Sequence, residues 1–495
     1  MSAVCVPVGS AGSSVPFSLF RYRDACARME TWIMSGEAAA LPLHEVEQEV
    51  ARQGREAMRL ALQAHLNAYG TGRVGPVLSV TGPDGQERPY VARRVDEAGI
   101  ETIFGRVEAR RTAYVHPAQS SIHPLDEARQ LPSRSFSYEV QRRVVEEAVR
   151  GPYAEGLESL ERNLGLEIPK RSAEQILRDA PQDFDEFYRR RSATAAGPSS
   201  PILVASADGK GIPLVKPEGA GRVVRRTKGQ KANKKKMATV ATVFTQAPRV
   251  RTPEEITASL FDEEAPAATK SPGPEHKRVW ASLAKPREDV FAEIAAEVAR
   301  RNPLLDKLVA MLTDGDPMLE RMARQYLPGA LLILDFLHVS ERLWLAGHAL
   351  FGEGTDEARE WVRDHVLRIL RGEVSQVVKG MRQSVTKRGL KGERAKAVLT
   401  GAAYFRRNRH RMQYDMYLSL GLPIASGAVE GACRHLVKDR MERAGMRWII
   451  PGAEAMLQMR AIKLSGDFDE YWQFHIVRDQ ERLHGNHAWK VMNGK

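Results

Sequence analysis

The clearest apolar signal in the chain is the run Ile202 to Ala205, which passes through Ser206 and Ala207 to a lone carboxylate, Asp208. A second short apolar run begins at Ile212. Short apolar runs bounded by glycine predict buried strands, here 202–207 with a hairpin partner over 212–216. "MATVATVF" (237–244) predicts a third strand, and "EDVFAEIAAEVARR" a helix, reached through a polar, Pro-rich stretch over 247–277. An apolar run ending in "KLVAMLTDGDP", a short helix over 317–326 and the strand "GALLILDF" follow. From 340 to about 415 every pattern has helical spacing, and a last amphipathic helix begins after "GLPIASG". Strands and helices in this order predict an α/β core with a helical insertion before its closing helix.

Upstream, "LHEVEQEVARQGREAMRLALQAHLNAYG" predicts a helix with apolar Val46, Val50, Met58, Leu60 and Leu62, stopped at Gly70. Over 71–115 the pattern shortens to strands, with a hairpin at Asp84-Gly85 and alternation around Phe104, Val107 and Tyr114. Residues 137–190 return to short helices about a turn at "NLGLEIPKR", which suits either a helix-turn-helix unit or a plain helical linker. "SATAAGPSSP" (192–201) marks a boundary. The expected divisions are a helical segment (1–70), a small β-rich module (71–135), a helical DNA-binding region (136–195), the core in two parts (196–340 and 416–475) around the insertion (341–415), and a tail (476–495).

At 495 residues the chain exceeds one hydrophobic core. An excess of 74 Lys+Arg over 62 Asp+Glu, +12 in all, favours a polyanion, most often nucleic acid. Cys5, Cys26 and Cys433 are too scattered for a zinc knuckle or a disulfide framework. No basic leader or apolar run of membrane-spanning length is present, so the expected location is cytoplasmic, with no membrane partner.

Three aspartates close apolar strands: Asp208, Asp314 in "MLTDGDP" and Asp335 in "LLILDFLHV". Open α/β sheets place their sites at such carboxyl ends. Carboxylates gathered there repel unless a cation lies between them, and hard oxygen ligands suit Mg²⁺ or Mn²⁺. Two such ions form the clamp for in-line phosphoryl displacement. Taken singly, each aspartate reads as well as a turn former or helix cap. A further acid, Glu430, falls in the first turn of the helix after Ser426, with Arg434 and Lys438 at i+4 and i+8. That face reads either as a salt-bridged surface or as a metal ligand followed by two cations for a phosphate backbone.

The order "ADGKG", "TDGDP", "LDFLHV", "LPIASGAVEGACRHLVKDRMERAGMRW" resembles the DDE transposases of bacterial insertion sequences, and more narrowly the Kra-type family related to the Mutator-like group. The likeness runs over about residues 87–475. It implies an RNase H-like α/β core, a mixed five-stranded sheet with helices, that cuts and joins DNA with two Mg²⁺ (or Mn²⁺) ions. It carries the catalytic and metal-binding roles to Asp208, Asp314 and Glu430, and an aspartate-x-x-histidine element to Asp335 and His338, with His338 expected to hold the insertion to the sheet. Asp335 and Asp316 compete with Asp314 for the second position. Members often open with a cysteine-rich zinc module, which this chain lacks. The implied partners are double-stranded DNA, as terminal inverted repeats and target, and further copies of the chain on it, as a homodimer or higher oligomer. Rivals are a structure-specific nuclease and a non-catalytic DNA-binding protein. The segment holding Arg222, Arg225, Arg226, Lys228, Lys231, Lys234, Lys235 and Lys236, together with Arg434, Lys438 and Arg447, is expected to meet DNA. "RRNRHRMQY" (406–414) is a second basic stretch, and Trp448 suits the core or a stack on a base.

Overall fold

The structure, a computed structural model, describes residues 15–191, 200–215, 235–262, 273–485 and 488–491. They divide into two units, Met1–Phe187 with Asp469–Lys495, and Tyr188–Phe468. The basic residues Arg222, Arg225, Arg226, Lys228, Lys231 and Lys234 lie outside the described residues, as does most of the 192–201 boundary.

The first unit opens with helices α1 (Val15–Ile33), α2 (Gly36–Ala40) and α3 (Leu43–Ala68). Its strands β1 (Val77–Thr81), β2 (Glu87–Thr102), β3 (Gly105–His116) and β4 (Gln119–Ile122) run antiparallel in sequence order. Gly85, at a φ of +75°, takes the left-handed position of the β1–β2 turn that its place after Asp84 predicts. Phe104 belongs to no strand; with Ile103 it forms the turn between β2 and β3, closed by Thr102 Oγ1 donating to the Gly105 carbonyl at 2.7 Å. Within the stretch expected as a tail, 476–495, the described residues form regular elements. The helix Phe468–His484 is followed by a strand, Ala488–Val491, that adds to β1 with Trp489 opposite Val80. Trp489 packs on the cluster of Leu78, Val80, Tyr90 and Tyr114, and its indole N–H donates to Glu127 at 2.6 Å. An apolar body with a bonded polar tip explains the ordering.

Helices α4 (Pro124–Arg129), α5 (Tyr138–Arg150), α6 (Tyr153–Leu164), α7 (Lys170–Asp179) and α8 (Phe184–Arg190) follow. Several cations of these helices pair with carboxylates of the same unit. Arg142 meets Asp469 at 2.6 Å, Arg143 meets Glu139 at 3.0 Å, and Lys170 lies 3.9 Å from Glu174.

In the second unit, β5 (Ile202–Pro213), β6 (Lys235–Gln246), β7 (Glu275–Ser282), β8 (Leu308–Thr313) and β9 (Leu331–Leu334) stand in the order β7-β6-β5-β8-β9. β6 is antiparallel to both neighbours, and β5, β8 and β9 are parallel. Two expectations fail here. The runs 202–207 and 212–216 are one strand as far as Pro213, with β6 as its hairpin partner. Gly209 and Gly211 make no turn: a Cβ on them would lie 3.1 Å from Met237 Cε and 3.0 Å from Lys235 Cβ, so they admit side chains of β6 lying over them. β7 also occupies part of a stretch read as polar loop. Its Arg278 is buried on Glu297 at 2.7 Å and stacks on Tyr188 and Trp280, which lets a charged position enter a strand.

Helices α9 (Pro253–Phe261), α10 (Arg287–Arg301) and α11 (Pro317–Tyr326) connect these strands. After β9 come α12 (Phe336–Phe351), α13 (Asp356–Leu370), α14 (Val374–Lys387), α15 (Gly392–Asn408) and α16 (Tyr414–Ser419). They share one apolar cluster with the sheet, from Val204, Leu312 and Ile333 to Val366, Phe405 and Tyr414. The chain then returns through α17 (Gly427–Ala432), a π-helical segment Cys433–Lys438, α18 (Asp439–Met441) and α19 (Ile450–Ser465). No helix among the described residues is long and apolar enough to cross a membrane.

Candidate metal centre

Strand register brings the aspartates together. Ala207 stands opposite Thr313, and Thr313 opposite Leu334. Asp208, Asp314 and Asp335, each one residue further, therefore share a level across three parallel neighbours, spaced about 4.8 Å per strand. Each also does the local work its residue type favours. Asp314 Oδ1 accepts from the Asp316 N–H at 2.8 Å, Asp335 caps α12 through the Leu337 N–H at 3.0 Å, and Asp316 caps α11 and pairs with Arg287 at 3.2 Å. Capping and clustering are thus compatible.

Glu430 reaches this level from α17. Asp335, His338 and Glu430 can each offer a ligand atom within 4.8 Å of the others. Asp208, Asp314 and Glu430 are not such a close set among the described residues, although Asp208 acts electrostatically on both. Burial, then the charge of Asp208, pushes the Asp314 carboxyl above the usual range. Burial, then Asp335, does the same to Glu430, with His338 pulling the other way. His338 is half-exposed and faces these acids, with Nδ1 3.3 Å from Glu341, so it does not hold the insertion to the sheet.

That holding falls to Tyr404 and to residues of 406–414, which read in the sequence only as a basic stretch. Arg411 is fully buried, donating to Thr313 Oγ1 at 2.7 Å and to the Asp314 carbonyl at 3.3 Å. Arg407 donates to the Gly315 carbonyl at 2.9 Å, and Tyr404 lies so close that a Cβ on Gly315 would fall 2.1 Å from its ring. Burial, then Asp314, pushes the Tyr404 phenol up to about 12. Tyr414 donates to the Leu334 carbonyl at 2.7 Å, fixing the end of β9. The stretch 406–414 is therefore in part an inward clamp on the Asp314 loop. Its signal is the interleaving of arginine with Asn408, Met412 and Tyr414, all buried.

The helix carrying Glu430 departs from regular geometry one turn on. The π-helical segment turns Cys433 inward, where Sγ donates to Asp208 Oδ2 at 3.2 Å. Burial, then Asp208, holds that thiol well above its usual range, so it stays a neutral donor. Ser426 is the N-cap by position, but its hydroxyl donates to Asp335 instead of the helix. Lys438 and Arg447 are exposed, and exposed Arg434 lies 4.0 Å from Asp439. Lys235 is spent on Glu442 at 2.7 Å, while Lys236 is exposed beside it. Trp448 belongs to the core: it is buried, bonds backbone-to-backbone with Pro213 and Val215, and donates its indole N–H to Met441 at 3.1 Å.

No protein-family model matches the chain, so the Kra-type resemblance rests on the motif residues alone. No curated protein matches it in sequence. Among solved structures it is similar to a Drosophila P element transposase strand transfer complex, at 9% identity and a TM-score of 0.26, over 68% of this chain and 80% of that one. A likeness of that size does not define a shared fold.

Proposed function

We propose that the second unit is a metal-dependent DNA strand-cleaving and strand-joining core of the RNase H-like type, and that the chain is a DDE transposase resembling the Kra-type family. One observation carries this reading: three aspartates at one level of three adjacent parallel strands, faced by Glu430 and His338. Such a cluster costs folding energy unless a cation neutralises it, and nothing about strand termination requires it. The strand order and the antiparallel β6 support the core type.

The donor set is carboxylate oxygen with one imidazole, which fits Mg²⁺ or Mn²⁺. Asp208, Asp314 and Glu430 would hold two ions, with Asp335 and His338 completing the set on the side of Glu430. When bound, the ions supply an activated water or 3′-hydroxyl and neutralise charge on the scissile phosphate. The chain's own share is orientation. Cys433 turns the Asp208 carboxylate, Arg411 and Tyr404 fix the Asp314 loop, and Ser426 anchors Asp335. In this reading residues 136–195 and the first sheet read the element's ends, and copies of the chain assemble on the DNA.

The test is Mg²⁺-dependent cleavage and end joining of DNA carrying the element's own termini. Both activities should be present and should fail in Asp208→Asn, Asp314→Asn and Glu430→Gln. Cleavage without joining would leave the nuclease reading, and binding without either would leave the DNA-binding one.

A further inference from the structure

A pocket of about 450 Å³ lies in the second unit, between the end of β6, the start of β7 and the loop that enters α17. Gln246, Arg249, Arg251 and Lys277 line one side, and Gly427 and Ala428 another. We propose that it is a phosphate-binding site for the DNA strand that runs to the carboxylates. This rests on the function proposed above for the neighbouring acids.

Charge is the first argument. Among the described residues the lining holds three cations and no carboxylate. Burial, and then the nearby charge of Arg249, works against Arg251, so the two guanidiniums stand close enough to repel. Clustered guanidiniums find their best partner in a phosphate, whose oxygens accept several N–H bonds at once.

Placement is the second. Arg251 donates to the Leu422 carbonyl, so its guanidinium is held by the same loop that leads to Glu430. On β7 the side chains alternate. Arg278 turns into the core towards Glu297, and Lys277, its neighbour, turns to the pocket. Lys277 is half-buried and has no carboxylate partner among the described residues, and burial lowers its pKa. A partly desolvated ammonium without a counterion is a cost that a bound anion removes.

The third argument is distance along the chain. Gly427 and Ala428 belong to the same six-residue helix as Glu430. A phosphate seated against them is held by the same short helix as the acid, two and three residues before it.

The experiment uses the full chain and the variants Lys277→Gln, Arg249→Gln and their double, with Lys277→Arg as the charge-conserving control. Binding of a short duplex with a single-stranded overhang is followed by fluorescence anisotropy with Ca²⁺ in place of Mg²⁺, across a salt series. The double variant should bind about tenfold more weakly, and its log–log salt slope should flatten by roughly 1.5 to 2, since two phosphate contacts are lost. Lys277→Arg should bind as the parent does. Melting curves identify any variant that has lost its fold, and in that case the single Lys277→Gln, at a half-exposed position, decides. Unchanged affinity and slope would overturn the proposal. So would loss of inorganic phosphate or deoxynucleoside monophosphate binding with DNA binding intact, which would make the pocket a small-ligand site. The acids are judged separately: cleavage that survives Asp314→Asn removes the catalytic reading and leaves a pocket result standing.

Discussion

At the scale of single residues, the acids combine local and collective roles. Asp314 accepts a backbone N–H as any turn aspartate does, yet its carboxyl is pushed up by burial and by Asp208. A carboxyl raised in the folded state stabilises the fold below its unfolded pKa, and that stability is lost as the pH rises through the folded value. At pH 7, ionised Asp314 is therefore a cost to the metal-free protein. Asp314→Asn should raise its melting temperature at pH 7, and the gain should shrink as the pH falls towards the carboxylate range. The same substitution should cut cleavage by roughly three orders of magnitude, as the loss of several kcal/mol of charge stabilisation does. Calorimetry across pH beside a cleavage assay reads both. A variant less stable than the parent at neutral pH would mean that the carboxylate is structural. The aspartates drew notice as acids at the ends of apolar runs, where each alone reads as well as a turn former, and Glu430 as an acid in a first helical turn; their joint role came from the resemblance. The roles of Cys433, Ser426 and Arg411 were not legible, since each depends on a partner some 90 to 225 positions away, 225 for Cys433 and Asp208.

At the scale of elements, short apolar strands were the readable part and glycine was the trap. Gly209 and Gly211 looked like a turn because pattern alone cannot tell a glycine that bends the chain from one that makes room for a neighbour. β7 was hidden by Arg278, whose burial depends on a helix not yet placed beside it. That pairing makes its own prediction. Burial alone would raise the Glu297 carboxyl, but Arg278, Arg301 and Arg300 overcome it and hold the group at about 2. A lowered carboxyl stabilises above its unfolded pKa, and the effect is lost as the pH falls through the folded value. Glu297→Gln should therefore cost about 3–5 kcal/mol at pH 7, since buried Arg278 loses its carboxylate. The difference should close only between about pH 4 and 2 in acid unfolding. The insertion clamp can be tested as directly. Gly315→Ala would drive a methyl into the Tyr404 ring. It should cost about 1–3 kcal/mol and displace the Asp314 loop, lowering cleavage while DNA affinity is kept. Full activity in that variant would show that the insertion does not position the acid.

At the scale of the whole molecule, the excess of 12 positive charges forecasts binding that weakens steeply with salt, measurable on any duplex. Of the chain's basic residues, Arg142, Arg143 and Lys235 pair with carboxylates, and Arg411 is buried. Net charge reads from composition, but which cations are available reads only from the fold. Strands over 71–115 and helices over 137–190 were legible as elements, and the strand Ala488–Val491 was not, because it is too short to signal by itself. Cutting the chain before residue 486 should remove Trp489 from its cluster and expose the edge of β1. Hydrogen exchange should then quicken in β1 and β2 while β5 and β8 stay protected.

That closing strand also sets an order of events during synthesis. The residues of β1 leave the ribosome before their partner, with the whole of Tyr188–Phe468 made in between. The second unit has every strand of its sheet available before the first can finish its own. A nascent chain therefore carries an unpaired β1 edge while the second unit is made, and a stop before Ala488 leaves it so permanently. Prematurely terminated products should be cleared by proteolysis, or should pair that edge with other chains.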